Sequence, residues 1–297
     1  MKKIKYILLL IVPLTIFSCS KDFLDRKPED AYVVDNFYVS AENLRVATGA
    51  LYNIPWFDFN DKASFCIGDG SAGNFLSNDG AMYQFYQFSV TSTNSRLNEA
   101  WRSLYVVVGQ ANSLIQGITE KADASISEED KNAAIAEAKF MRAVAYQYLG
   151  ILWGPVPIIE DNSKHILDPK VPRHKLADVF QFVINDLTFA AENLPAADVP
   201  GRVTSWSAKA MLARTYLYRA GLGGSKNQAD IDQAKTLAED VIKNSGLTLM
   251  DKYEDLFKLE NNNNPESLFA LQWVVDAQNW GSQNTHQAYF AAEGKLT

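Results

Sequence analysis

Residues 136–159, AEAKFMRAVAYQYLGILWGPVPII, constrain this chain more than any other stretch. Ala136, Phe140, Ala143, Tyr146 and Gly150 recur at helical spacing, and Val144, Tyr148 and Leu152 form a second apolar stripe beside them. A helix with two apolar stripes must be covered on most of its circumference. It stops at Gly154-Pro155-Val156-Pro157, where Gly suits a left-handed cap and the prolines forbid continuation. A helix covered on two sides belongs between neighbours, so the expected architecture is a stacked helical array.

The remaining helical signals fit that expectation. Ser40 caps a helix with Leu44, Ala47 and Leu51 inside, ended by Pro55. Residues 96–118 carry Leu97, Trp101, Leu104, Val108, Ala111, Ile115 and Ile118 at steps of three and four. Ser127-Glu128-Glu129-Asp130 resembles a capping box that opens the helix running into the organising stretch. Leu176 to Leu194 give a clean stripe ended by Pro195, and Thr204 or Ser205 caps residues 206–220. Asp230 is expected to cap a last helix with Ala234, Leu237, Ala238, Val241 and Ile242 inside. Fragments of the tetratricopeptide pattern appear in four of these helices, but their irregular spacing leaves a non-repeat bundle open.

Two regions break the helical pattern. Between Trp56 and Asn94 the period disappears into Gly, Asn, Asp, Ser and aromatics, which predicts a long, ordered, irregular loop. Residues 266–275, ESLFALQWVV, read as the one buried strand. The fold class expected is therefore mainly α, a tetratricopeptide-like array with long irregular loops and little strand. The final polar-aromatic stretch stops without helix or cap, from which we expect a chain truncated at its carboxyl end.

The amino terminus is not fold. Lys2, Lys3 and Lys5 precede an apolar run over residues 7–17, too short to span a bilayer and of signal-peptide form. Ile16-Phe17-Ser18-Cys19 has the form of a lipobox, so residues 1–18 are a lipoprotein signal and Cys19 the lipidated amino terminus. Residues 19–36 read as an extended leader, and 37–297 as the helical domain. The net charge of -7 falls to -10 once the three lysines leave, which argues against nucleic acid and against adhesion to anionic lipid by charge. With Cys19 acylated, Cys66 has no partner for an intrachain disulfide and reads as a small buried apolar residue.

Histidine is scarce, and no metal-ligand spacing or catalytic motif stands out; Gly68 to Gly73 lacks the Lys-Ser/Thr ending of a phosphate loop. We therefore expect no cofactor, no metal and no catalysis. Asp69 and Asp79 are the carboxylates an enzyme reading would nominate. Binding is easier to argue. Aromatic faces stack on sugar rings, and Asn and Asp match paired hydroxyls. The candidates are Asp69, Asn74, Tyr83 and Tyr86 in the long loop and Trp280 and Asn284 in the final one. Trp101, Trp153 and Trp206 sit on helix stripes or at a helix stop and read as core.

An ordered set of motifs resembles one family. Cys19-x2-Asp22-Phe23-Leu24-Asp25-x2-Pro28, Trp101-x2-Leu104-Tyr105-x6-Asn112, the AEAKFMRA block with Tyr146, and Trp153-Gly154-Pro155-Val156-Pro157 are similar to SusD/RagB-type lipoproteins. Arg202-Val203-Thr204, Lys209 through Leu217, and Glu266-Ser267-Leu268-Phe269 complete the set in family order. The resemblance implies a tetratricopeptide-like helical fold, anchored by lipid to the outer face of the outer membrane. It implies a SusC-like TonB-dependent transporter as partner, and an oligosaccharide ligand held by loops. It places Asp69 and Trp280 in ligand-contacting regions. A peptide ligand, as on the RagB side of the family, is the alternative; a helical glycan-cleaving enzyme and a pure assembly scaffold are the others.

Overall fold

The computed structural model describes residues 37–74, 79–166, 170–224 and 226–274. The lipobox, Cys19, the leader, Trp280 and Asn284 lie outside them. The elements in order are α1 (Ala41–Gly49), two π-helical turns (Phe59–Ala63 and Cys66–Gly70), α2 (Gly80–Tyr86), α3 (Ser95–Lys121), α4 (Glu128–Trp153), α5 (Leu176–Asn193), α6 (Ser205–Ala220) and α7 (Gln228–Asn244). Among the described residues there is no strand.

From α3 onward each helix packs on the next, and contacts show alternating direction. Trp101, Tyr105 and Asn112 of α3 meet Trp153, Tyr146 and Arg142 of α4. As numbers rise along one helix they fall along the other, so the pair is antiparallel. The same holds for α4 on α5 (Lys139 to Asp186, Tyr146 to Phe182) and α6 on α7 (Lys209 to Asp240, Arg219 to Asp230). This is a tetratricopeptide-like array, with α4 at its centre.

The double stripe of α4 is buried as expected: Ala136, Phe140, Ala143, Tyr146 and Gly150 face inward, as does Val144, while Tyr148 and Leu152 are half-buried. At the α4–α5 crossing a small residue faces large ones. A Cβ at Gly150 would stand 3.4 Å from the Phe180 and Val179 side chains, so the glycine packs directly against them with little room to spare. Burying one side chain the size of Phe140 stabilises the fold by about 1.5–3 kcal/mol relative to exposure.

The caps follow the sequence with one exception. Ser40, Ser127 and Thr204 each accept from a backbone N–H of the first turn, and Thr204 forms a full capping box with Ser207. For α7 the cap is Asn227, not Asp230. Asn227 accepts from the Asp230 N–H, while the Asp230 carboxylate is taken by Arg219 at 2.6 and 2.9 Å. Ile242, expected inside, is 77% exposed, since the packed face of α7 is carried by Ala234 and Val241.

Two further expectations are corrected. Residues 57–72 are not an irregular loop but a nearly continuous helical arm containing both π turns. Phe59, Ala63, Cys66 and Gly70 form its buried face, a helical spacing masked by small residues and by the Gly and Asp around them. Residues 266–274 form an irregular segment with a turn at Glu266 and a bend at Leu268, and no ladder, because no second strand is present among the described residues to pair with it. Instead the Gln272 N–H donates to the Tyr52 carbonyl at 3.1 Å, Ser207 donates to the Leu268 carbonyl, and Phe269 meets Phe140 edge-on. The segment lies half-buried on the helices.

Candidate functional site

The arm and α2 build the surface on which four of the candidate residues lie. The arm ends in a Schellman motif. Gly73 takes φ +75°, its N–H donates to the Gly70 carbonyl, and the Asn74 N–H donates to the Asp69 carbonyl at 3.1 Å. That hydrogen bond sets Asp69 and Asn74 side by side at the tip, both exposed.

Polar contacts fix α2 against the rest. Asp79 caps it, accepting from the Ala81 and Met82 N–H groups at 2.9 and 3.2 Å, and its other oxygen takes Arg96 at 2.7 Å. Burial pushes the Asp79 carboxyl up, but Arg96 and the backbone donors outweigh it and hold the group below the usual carboxylate range. Asn94 caps α3 and at the same time donates to the Ala81 carbonyl and the Gln84 amide oxygen, both at 2.9 Å. With the helix so held, Met82 and Phe85 face inward onto Cys66, and Tyr83 and Tyr86 face outward. The two tyrosines stand 6.2 Å apart between ring centroids at 31° and are 43% and 42% exposed. Their spacing of three residues puts both on one side of a helix. The result is a tilted, outward-facing aromatic platform on α2, a helix whose other face packs on the second π turn.

Asp69 also lines a cleft of about 600 Å³ between the arm and α4, together with Phe59, Asn60, Ser64, Tyr148 and Leu152. Tyr83 and Tyr86 are not part of that lining. Sequence reasoning does not single out Asn60 or Ser64, and it reads Tyr148 only as part of an apolar stripe. Asn60 and Ser64 stand four apart on one side of the arm, a signal legible only once the arm is seen to be helical. Cys66 is fully buried, as expected, and burial pushes its thiol up to about 11. Trp101 and Trp153 are half-buried and pack edge-to-face at 5.3 Å; Trp206 is half-buried under the Lys209 ammonium at 4.3 Å.

The nominated carboxylate pair is divided between different tasks. Asp79 is engaged as cap and ion-pair partner, and Asp69 stands exposed at the tip.

Comparison with known proteins agrees with this fold. A family profile described as SusD-like, starch-binding and associating with outer membrane, matches residues 22–217. The chain belongs to the SusD-like family. A SusD-like protein of Bacteroides ovatus is 47% identical over 297 residues, covering 99% of this chain and 54% of the relative. SusD-like protein P25 of Formosa agariphila is 23% identical over 91% of this chain and 52% of its own length. Among solved structures, a crystal structure with xylogluco-oligosaccharide is similar at 47% identity and a TM-score of 0.73, over 78% of this chain and 46% of the other. A SusD superfamily protein of Parabacteroides distasonis shares the fold at a TM-score of 0.71 and 24% identity, over 79% of this chain and 51% of its own. The chain thus spans about half the length of the curated relatives it matches.

Proposed function

We propose that this chain is a surface lipoprotein, non-catalytic, that captures an oligosaccharide and delivers it to a SusC-like TonB-dependent transporter, held to the outer membrane by lipid on Cys19. The observation that carries the reading is the exposed Tyr83–Tyr86 platform on α2, the helix that packs on the π turn carrying Asp69. Membership of a family described as starch-binding and associating with outer membrane supports it. So does the likeness to a protein solved with xylogluco-oligosaccharide, which makes a β-glucan bearing xylose branches the first ligand to try. Capture rests on stacking of sugar rings on the tyrosines, while Asp69 and Asn74 hydrogen-bond hydroxyl groups. Trp280 and Asn284 are proposed to add a second face.

Titration calorimetry with a xylogluco-oligosaccharide tests this directly. Tyr83→Ala and Tyr86→Ala are each expected to weaken binding about threefold to tenfold, the worth of one aromatic contact. Their exposed positions leave the melting temperature unchanged. Heat with peptides and none with any glycan would transfer the function to peptide capture.

A further inference from the structure

The helix α2 ends in the same Schellman motif as the arm, but with a different residue at the position that matters. The Phe88 N–H donates to the Phe85 carbonyl at 3.1 Å, and the Ser89 N–H donates to the Gln84 carbonyl at 2.9 Å. That pattern needs a left-handed backbone just past the helix end, and Phe88 takes it with φ +53°. In the arm the matching position is Gly73 at φ +75°. Glycine enters this region freely, whereas the Cβ of a bulky residue crowds the following carbonyl oxygen there. Asn263 is the other non-glycine residue with positive φ among the described residues, and asparagine is a type that tolerates it.

No packing of its own offsets the strain at Phe88. The residue is 81% exposed, against 5% for Phe85 on the inward side of α2. A Schellman motif is often closed by an apolar contact between the residues flanking it, which here are Gln84 and Ser89, both polar. The Gln84 amide oxygen instead accepts from the Asn94 side chain at 2.9 Å and from the Thr91 N–H at 3.4 Å. With its backbone carbonyl also engaged, Gln84 fastens the turn after α2 to the helix and fixes Phe88 two residues beyond Tyr86. A strained backbone, a large ring given to water and an exposed aromatic pair close by in the chain together point to a contact surface.

We infer that Phe88 is a third stacking face for a carbohydrate chain, extending the Tyr83–Tyr86 pair past the end of α2; this rests on the oligosaccharide capture proposed above. Phenylalanine has no hydroxyl, so it meets the apolar face of a sugar ring and adds affinity without choosing among hydroxyl groups. The strain then has a reason: a glycine at this position would relax the turn and leave no ring to present.

Titration calorimetry with a xylogluco-oligosaccharide, paired with thermal melts, separates the ring from the strain. Phe88→Gly removes both, and is expected to weaken binding about threefold to tenfold while raising the melting temperature by about 2–4 °C. Phe88→Leu keeps the strain and removes only the ring, so it is expected to weaken binding to the same extent with the melting temperature unchanged. Affinity that persists in either variant, while Tyr83→Ala and Tyr86→Ala lose it, overturns the inference and leaves the tyrosine platform standing. A melting temperature that falls in Phe88→Gly overturns it as well, because the ring is then held for packing. Absence of glycan binding by the unaltered chain overturns it together with the reading on which it rests.

Discussion

Arg142 and Asp186 are each almost fully withdrawn from water, and their two hydrogen bonds, at 2.8 and 2.9 Å, join α4 to α5. Lys139 adds a third bond to Asp186, and the remaining Arg142 donor reaches Asn112 of α3 at 2.8 Å. Asn112 in turn donates to the Ile159 carbonyl just past the GPVP stop. One charged cluster thus registers three helices and a turn. Asp186→Ala leaves a buried arginine uncompensated and is expected to cost about 3–5 kcal/mol in denaturant unfolding. Asp240→Ala, which breaks the solvent-screened Lys209 pair, is expected to cost far less in the same measurement. Asp79 predicts an acid response. Its carboxyl is held below the usual range when folded, so its contribution is complete above the unfolded pKa, near 4, and is lost as pH falls through the folded value. Asp79→Asn is therefore expected to flatten the stability-against-pH curve below about pH 4, in equilibrium unfolding followed by circular dichroism. These partners are illegible in sequence because each lies far along the chain from its mate, 44 residues in the case of Arg142 and Asp186.

At the scale of elements, local signals are reliable where they are strong. The caps at Ser40, Ser127 and Thr204, and the stop at Pro195, lie where the sequence puts them, since each is a bond or clash between near neighbours. The arm over residues 57–72 hides its helical character because π turns widen the spacing and its inward positions include Ala, Cys and Gly rather than only large apolar residues. Residues 266–274 have strand composition, but a strand exists only as part of a sheet, and this one has helices for neighbours. The α4 stop offers a clean test. Gly154 sits at φ +74°, ψ −122°, a conformation open to glycine, and a Cβ added there would meet nothing within 4 Å. Gly154→Ala is thus a purely conformational cost, expected at about 1–3 kcal/mol. At Gly80, with φ not in the positive region and equally open space, the same change is expected to be neutral or slightly stabilising in a melting curve.

For the whole molecule, no helix among the described residues is long and apolar enough to cross a membrane. If attachment is by lipid at Cys19, Cys19→Ala is expected to abolish incorporation of labelled palmitate and move the protein out of the membrane fraction. The arrangement also separates the scaffold from the proposed ligand surface along the chain. The motif residues Asn112, Glu137, Lys139, Arg142 and Arg202 hold helices to one another, whereas Tyr83, Tyr86, Asp69 and Asn74 stand exposed on the arm and α2.

The sequence by itself determined the helical array, its caps and its centre, because periodicity and capping act over a few residues and leave their mark in order along the chain. It also singled out the polar residues at the tip of the arm and the tyrosines of α2. Only the tertiary structure decided that Tyr83 and Tyr86 form one outward platform, and that Asp79 is a cap held by Arg96 and not a free carboxylate. The reason is physical: which side of a short helix faces water, and which charge finds a partner, depend on neighbours brought together by packing across long stretches of chain.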